Sequence, residues 1–340
     1  MKEKFGILPT GEEASLYTIS CGQVKAVISD LGATIVKLFV PDRNGVPGDI
    51  TLGFDSPAEY IKSGTYFGSV VGRNANRVGG AKFSLNGTEY RLDANDNGAH
   101  NLHSGFKPFK NRLWNVERHD ADSIRMSLNS PDGDQGFPGN AVIHVTYTLN
   151  ADACLSIVYD AICDKDTVFN LTNHAYFNLA GHQYPEKAME QTLMLPARIY
   201  TPADADSIPT GELCSVEGTP MDFRTPKAIG RDINEDYFAL NLQGGYDHNF
   251  EIFTAPGAIL THEETGRSMA VFTDCKGVQF YSGNFLKGET GKDGVSYCYR
   301  GGICLETQYY PDSVNKPEWA QPFTKAGERY HSETVYRFSW

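Results

Sequence analysis

The chain has 340 residues, 40% hydrophobic and 12% aromatic, which is ample for a large core. Its formal net charge of −12 argues against a nucleic-acid binder, which would show a basic face, and against an anionic membrane surface. No apolar run approaches the roughly 18 residues of a membrane-spanning helix, and the N-terminal MKEKFGILPTGEEA lacks the apolar segment of a signal peptide.

The first third reads as strand after strand. Leu16 to Ser20, Gln23 to Ser29 and Ala33 to Val40 are β-like runs, the last ending at the turn cluster Pro41-Asp42-Arg43-Asn44-Gly45. A strand over Asp49 to Phe54 is expected next. A short helix follows over Pro57 to Lys62, with Ser56 as N-cap and Pro57 at the first helical position. Lys82 to Leu92 carries Asn86-Gly87 between alternating apolar residues, which predicts a hairpin. Before it, GRNANRVGG (72–80) is a polar, glycine-bounded turn that presents Asn76 and Arg77. It does not match a phosphate-cradling loop. AHNLHSG (99–105) holds His100 and His103, but there is no HExxH and no helical context for a metal site.

Ser123 to Leu128, Ala141 to Leu149 and Leu155 to Ala161 are further strands. In the second, Ala141, Ile143, Val145, Tyr147 and Leu149 share one face. From Gln183 to Asp236 proline-rich segments predict long ordered loops with one short helix near Lys227 to Asn234. Strands resume at His248 to Phe253, Ser268 to Thr273, Val278 to Tyr281, Ile303 to Thr307 and Thr334 to Trp340. Strands throughout, without βαβ alternation, predict an all-β fold: one domain over residues 1–340, a large sandwich with few short helices. The seven cysteines are odd in number and form no CxxC pair. Reduced thiols and a cytoplasmic setting are therefore expected rather than a disulfide framework.

Four stretches carry polar residues that core strands would not keep. Asn170 to Gly181, NLTNHAYFNLAG, is expected to be extended. Phe169, Leu171, Asn173, Ala175 and Phe177 then point one way, and Asn170, Thr172, His174, Tyr176 and Asn178 the other. The second row suits the floor of a polar cavity. Gly245 to Asn249 puts Asp247 at the mouth of a strand. In Val278-Gln279-Phe280-Tyr281, Gln279 is out of phase with Val278 and Phe280. Glu306 sits in the apolar run Ile303-Cys304-Leu305-Glu306-Thr307, where a buried charge needs a partner. A Glu and a His across a cavity can serve as base and acid, with ordinary pKa values of about 4.3 and about 6.5. Each is expected to favour the charged form of the other.

The motifs GRNANR (72–77), NLHSG (101–105), NLTNHAYFNLAG (170–181), PTGE (209–212), EGTPMDFR (217–224), GYDHNF (245–250), GVQFYSGNFL (277–286) and LETQYYPDSVN (305–315) run in order along nearly the whole chain. Together they resemble the aldose 1-epimerase (galactose mutarotase) family. The resemblance implies a large antiparallel β-sandwich with a free aldose bound in a cleft on one sheet. It implies Glu306 as general base and His174 as general acid, with Asn76, Arg77, His103, Asp247 and Gln279 as sugar-binding residues. No metal, nucleotide or other cofactor is implied, and monomer and homodimer both stay open. Ser104 stands where family members often have a second glycine, and no acidic residue lies near Lys110. Both departures bear on substrate preference. Three other readings compete. A non-catalytic sugar-binding module would have replaced Glu306 or His174. A glycosidase would leave His174 unexplained. A hexose-6-phosphate 1-epimerase calls for a basic cluster beyond Arg77 and Arg73.

Overall fold

The computed structural model describes residues 1–340. The alternation along Ala141–Leu149 is realised as expected, with every second side chain buried and Val142 turned outward. This strand is third in a nine-stranded sheet. The order is Asn115–His119, Ser123–Ser130, Ala141–Leu149, Cys154–Cys163, Arg329–Ser339, Ser268–Thr273, Ala258–Thr261, Thr192–Met194 and Lys227–Ala228. A second sheet of five strands runs Cys214–Ser215, Ile199–Thr201, Asp247–Glu251, Gly277–Tyr281 and Cys304–Gln308. The N-terminal strands Lys2–Ile7, Glu13–Cys21, Val24–Ser29, Thr34–Pro41 and Pro47–Asp49 form a third. Ladders within these sheets are antiparallel.

One cluster of 55 buried residues joins the three sheets. Phe250, Val278, Phe280 and Leu305 come from the second sheet, Ile157, Leu260, Met269 and Tyr336 from the first, and Ile19, Ala26 and Ile35 from the third. Each such side chain contributes roughly 1.5–3 kcal/mol by leaving water. The sandwich expected from the sequence is the architecture observed.

Local signals hold where the chain's own chemistry decides. Ser56 caps Pro57–Lys62 by accepting from Glu59 N–H, and its hydroxyl donates to the Glu59 carboxylate. The hairpin of Lys82–Leu85 and Thr88–Arg91 turns at Asn86 (φ 52°) and Gly87 (φ 77°), the left-handed pair that Asn-Gly tolerates.

Three expectations fail. Asp49 to Phe54 is not a strand. Pairing ends at Asp49, and beyond it only Thr51 bridges to Phe177. The helix near Lys227 to Asn234 does not form, because that segment's donors are taken by neighbouring chain. Lys227–Ala228 pairs with Thr192–Leu193, Ile229 N–H donates to Gln191 O, and Gly230 N–H donates to Met189 O. The helix of this region is Phe238–Gln243. Lastly, Asn170 to Gly181 is threaded between sheets rather than lying in one. Only Thr172–Asn173 pairs as strand, with Val70–Val71, and both of its rows are buried.

Candidate active site

In antiparallel strands, residues directly opposite one another point to the same face. Asp247, Tyr281 and Cys304 form one row across the second sheet, and Asn249, Gln279 and Glu306 the next. His248, Phe280 and Leu305 lie on the opposite face, with Phe280 and Leu305 in the core. The period of two therefore splits this sheet into an apolar side and a polar side. On the polar side opens a cavity of about 330 Å³, the right scale for a small ligand. Its lining includes Asn76, Arg77, His103, His174, Asp247 and Glu306.

His174 Nε2 lies 3.6 Å from Glu306 Oε2, and both side chains are almost wholly buried. The His174 ring stacks near-parallel with Tyr176 (centroids 5.1 Å apart, 11°) and Tyr66 (5.8 Å, 21°). His103 meets it edge-on at 5.3 Å. Behind His174, Cys304 Sγ is 3.5 Å from Nδ1. The loops of residues 72–80 and 99–105 are knitted together. His103 N–H donates to Asn76 O, Asn76 N–H donates to His103 Nδ1, and Arg77–Val78 pairs with Asn101–Leu102. Asn76, His103 and Ser104 all adopt left-handed backbone, which aims the first two inward. Ser104 ties the loops further. Its hydroxyl accepts from Asn74 N–H and donates to Asn74 O, so the hydroxyl is used where a glycine would have none.

With this geometry in view, relatives are informative. A family model described as "Aldose 1-epimerase" matches residues 15–337. The chain is 40% identical to a galactose mutarotase of Bos taurus, with 98% of this chain and 97% of that one covered. It is 39% identical to an aldose 1-epimerase of Haemophilus influenzae, covering 97% of each. The solved structure of an aldose epimerase homologue from C. elegans superposes with a TM-score of 0.88 at 31% identity, over 96% of this chain and 99% of that one. The chain belongs to the aldose 1-epimerase family.

Within this family member, six of the seven residues singled out by motif line the cavity. Gln279 is the exception. It does not line the cavity; its Nε2 donates to Asp247 Oδ1 at 2.7 Å, while its buried Oε1 has no hydrogen-bond partner. Arg77 lines the cavity while paired with Asp96 (2.7 Å). Arg73 is buried completely and is spent on structure. It donates to the carbonyls of Ser130, Pro131, Pro138 and Gly139 and to the hydroxyls of Ser130 and Thr167. Lys110 is likewise consumed, donating to Tyr60 O and Ser63 O beneath the loop that carries Tyr66. Of the row Asn170, Thr172, His174, Tyr176 and Asn178, only His174 and Tyr176 reach the cavity. Asn170 accepts from Tyr309 N–H, and Asn178 donates to Tyr184 O.

Sequence reasoning missed the aromatic lining, Tyr66, Tyr281 and Phe285. Tyr66 and Phe285 sit in irregular loops with no pattern to mark them. Tyr281 was legible in principle, since it shares the phase of Gln279.

Burial dominates the site's electrostatics. It pushes the Glu306 carboxyl well above the ordinary range. The neighbouring Asp247 adds to the rise, and Arg77 opposes it. Burial raises Asp247 as well, again against Arg77. His174 is lowered to about 4 by burial, and His103 falls well below the imidazole norm, chiefly by burial and then by His174 and Arg77. The expected mutual stabilisation of the charged forms is therefore overturned. At 3.6 Å, without a short hydrogen bond, attraction does not offset the loss of water around either group.

His103, His174 and Glu306 each offer a ligand atom within 4.8 Å of the others, a set that could in principle hold a divalent ion. The tautomer at His103 is wrong for it. A ligating His donates its second N–H outward. Here His103 Nδ1 accepts from Asn76 N–H, so the proton sits on Nε2, the nitrogen that faces the cavity.

Proposed function

We propose that this protein interconverts the α and β anomers of a free aldohexose such as galactose or glucose by acid–base ring opening and closure. The observation that carries the reading is the buried Glu306–His174 pair at 3.6 Å, on the wall of a hexose-sized polar cavity. Glu306 is the base on the C1 hydroxyl and His174 the acid on the ring oxygen. As Glu306 takes the hydroxyl proton, C1 becomes a carbonyl. The C1–O5 bond breaks, and its electron pair takes the proton of His174. The open aldehyde then rotates about C1–C2 by half a turn. Reclosure runs both transfers in reverse, so the enzyme's protons are restored.

Glu306 with a raised pKa is a stronger base than an ordinary carboxylate, and His174 with a lowered one is a stronger acid than ordinary imidazole. Both changes favour transfer to and from weakly acidic hydroxyls and a weakly basic ether oxygen. The pair holds one proton in total. The form that burial favours, Glu306 protonated and His174 neutral, and the reactive form, carboxylate and imidazolium, differ only in which partner carries it. Arg77, Asn76, His103 and Asp247 are read as hydrogen-bonding groups for the ring and its hydroxyls. Gln279 is read as the residue that aims Asp247. Aromatic faces at Tyr281 and Phe285 supply the apolar contact a sugar ring needs.

Arg73 is spent on carbonyls and Arg77 on Asp96, so Lys287, beside Glu289 in the lining, is the one further cation at the cavity; a single lysine is not the basic cluster a phosphate calls for, which favours an unphosphorylated aldose. The core that runs from Tyr17 to Phe338 favours a single domain. Seven free cysteines favour a cytoplasmic setting. The test is polarimetry on freshly dissolved α-D-galactose and α-D-glucose. Decay to the same final rotation, faster than the spontaneous trace, is expected. Folded protein that leaves both traces unchanged rules the reading out.

A further inference from the structure

His174 and His103 open onto one cavity but are held from behind by different groups. Asn76 N–H donates to His103 Nδ1, so a second proton there would set one N–H against another. His103 is thereby a fixed donor through Nε2. It has no room to cycle between neutral and charged forms.

At His174 the group beside Nδ1 is the Cys304 thiol, 3.5 Å away. An imidazole that gives and regains a proton at Nε2 must keep its other proton on Nδ1 throughout, and that proton needs an acceptor. We propose that the sulfur of Cys304 is this acceptor, and that Cys304 is the positioning residue that holds His174 as the Nδ1–H form with Nε2 turned toward Glu306. The inference rests on the reading of His174 as the proton donor to the ring oxygen.

Three observations support it. Cys304 and Glu306 are two residues apart in the strand Cys304–Gln308, so they share a face, and one rigid element sets the positions of both. Cys304 is completely buried, which keeps water from competing for Nδ1–H. Among nearby oxygens, the Tyr281 hydroxyl accepts from Phe285 N–H, and the His174 carbonyl already accepts from Gly68 N–H, so its contact with its own ring shares an acceptor that the Cys304 sulfur does not have to share. Burial also pushes the Cys304 thiol up, so the sulfur stays neutral. A weak neutral acceptor fixes the ring without the negative charge of a carboxylate, which would hold the proton more tightly and make His174 a poorer acid.

The test is ring-nitrogen NMR of the ¹⁵N-labelled full-length protein at neutral pH, with His174 assigned by the signals lost in His174→Asn. It is read together with kcat and KM from polarimetry. Neutral His174 is expected as the Nδ1–H tautomer. Cys304→Ala should let Nε2–H form appear and lower kcat by about 10-fold with KM little changed, the scale of one hydrogen bond. Cys304→Ser, which restores an acceptor, should recover the tautomer and most of the rate. An Nε2–H tautomer in the wild-type protein overturns the proposal without any variant. So does a Cys304→Ala protein whose tautomer is unchanged, whether or not its rate has fallen. Wild-type protein that shows Nδ1–H but no mutarotation refutes the functional reading and leaves the tautomer assignment standing.

Discussion

Glu306→Gln separates chemistry from stability in one substitution. The side chain keeps its shape but loses the ability to take a proton. A positioned general base is worth about 10²- to 10⁴-fold, so kcat should drop by that factor, equivalent to about 2.7–5.5 kcal/mol. Stability should move the other way. Burial and Asp247 raise the folded pKa of Glu306 above its unfolded value. The carboxyl therefore sits comfortably in the fold while protonated, at pH below about 4.3. It becomes destabilising as pH rises toward the folded value, because the unfolded chain ionises first. Each unit of elevation corresponds to about 1.4 kcal/mol. Glutamine cannot ionise and escapes this penalty. With about 2.1 cal/mol/K per residue over 340 residues, 1 kcal/mol moves Tm by about 1.4 °C. The variant should thus melt higher than wild type at pH 7, by about 2 °C for each unit of elevation, and the gap should close near pH 4. Polarimetry and calorimetry across pH 4 to 8 measure both halves. A variant within 10-fold of wild-type kcat removes Glu306 as the base. One that melts lower than wild type at every pH refutes the argument from burial.

Other outcomes follow from the same geometry. With His174 at about 4 and Glu306 raised, kcat/KM should fall on the acid side as the pair gains a second proton, and on the alkaline side as it loses its only one. A single limb near 6.5, where an ordinary imidazole titrates, would contradict this. Gln279→Leu should raise KM roughly 5- to 10-fold with kcat nearly unchanged, since one hydrogen bond aiming Asp247 is lost; a change in kcat alone would place Gln279 in the chemistry. Lys292→Met should destabilise the fold by about 3–5 kcal/mol in urea melts. It strips the partner from Asp49 in a fully buried pair that also engages Val36 O and Thr51 O; a change under 1 kcal/mol would mean that water reaches Asp49.

Strand periodicity, the Asn86-Gly87 turn and the Ser56 cap were all readable from the chain, because each depends on neighbours a few residues away. The motif residues were readable too, since Glu306 and Gln279 break the apolar phase of their strands and so advertise a polar face. What the sequence could not give was which polar groups already had partners. Arg73 and Lys110 look as available as Arg77 until their carbonyl acceptors, brought from up to 66 residues away, are in place. That Gln279 Nε2 is bonded to Asp247 is likewise visible only once the two strands are paired. The pairing of His174 with Glu306, 132 residues apart, is also set by tertiary structure, where the Phe177–Ile303 bridge lays the threaded segment against the strand of Glu306 and Cys304. The sign of the electrostatics was also out of reach. Charge attraction is visible in residue type, but the loss of water that outweighs it exists only once the tertiary structure has closed around the site.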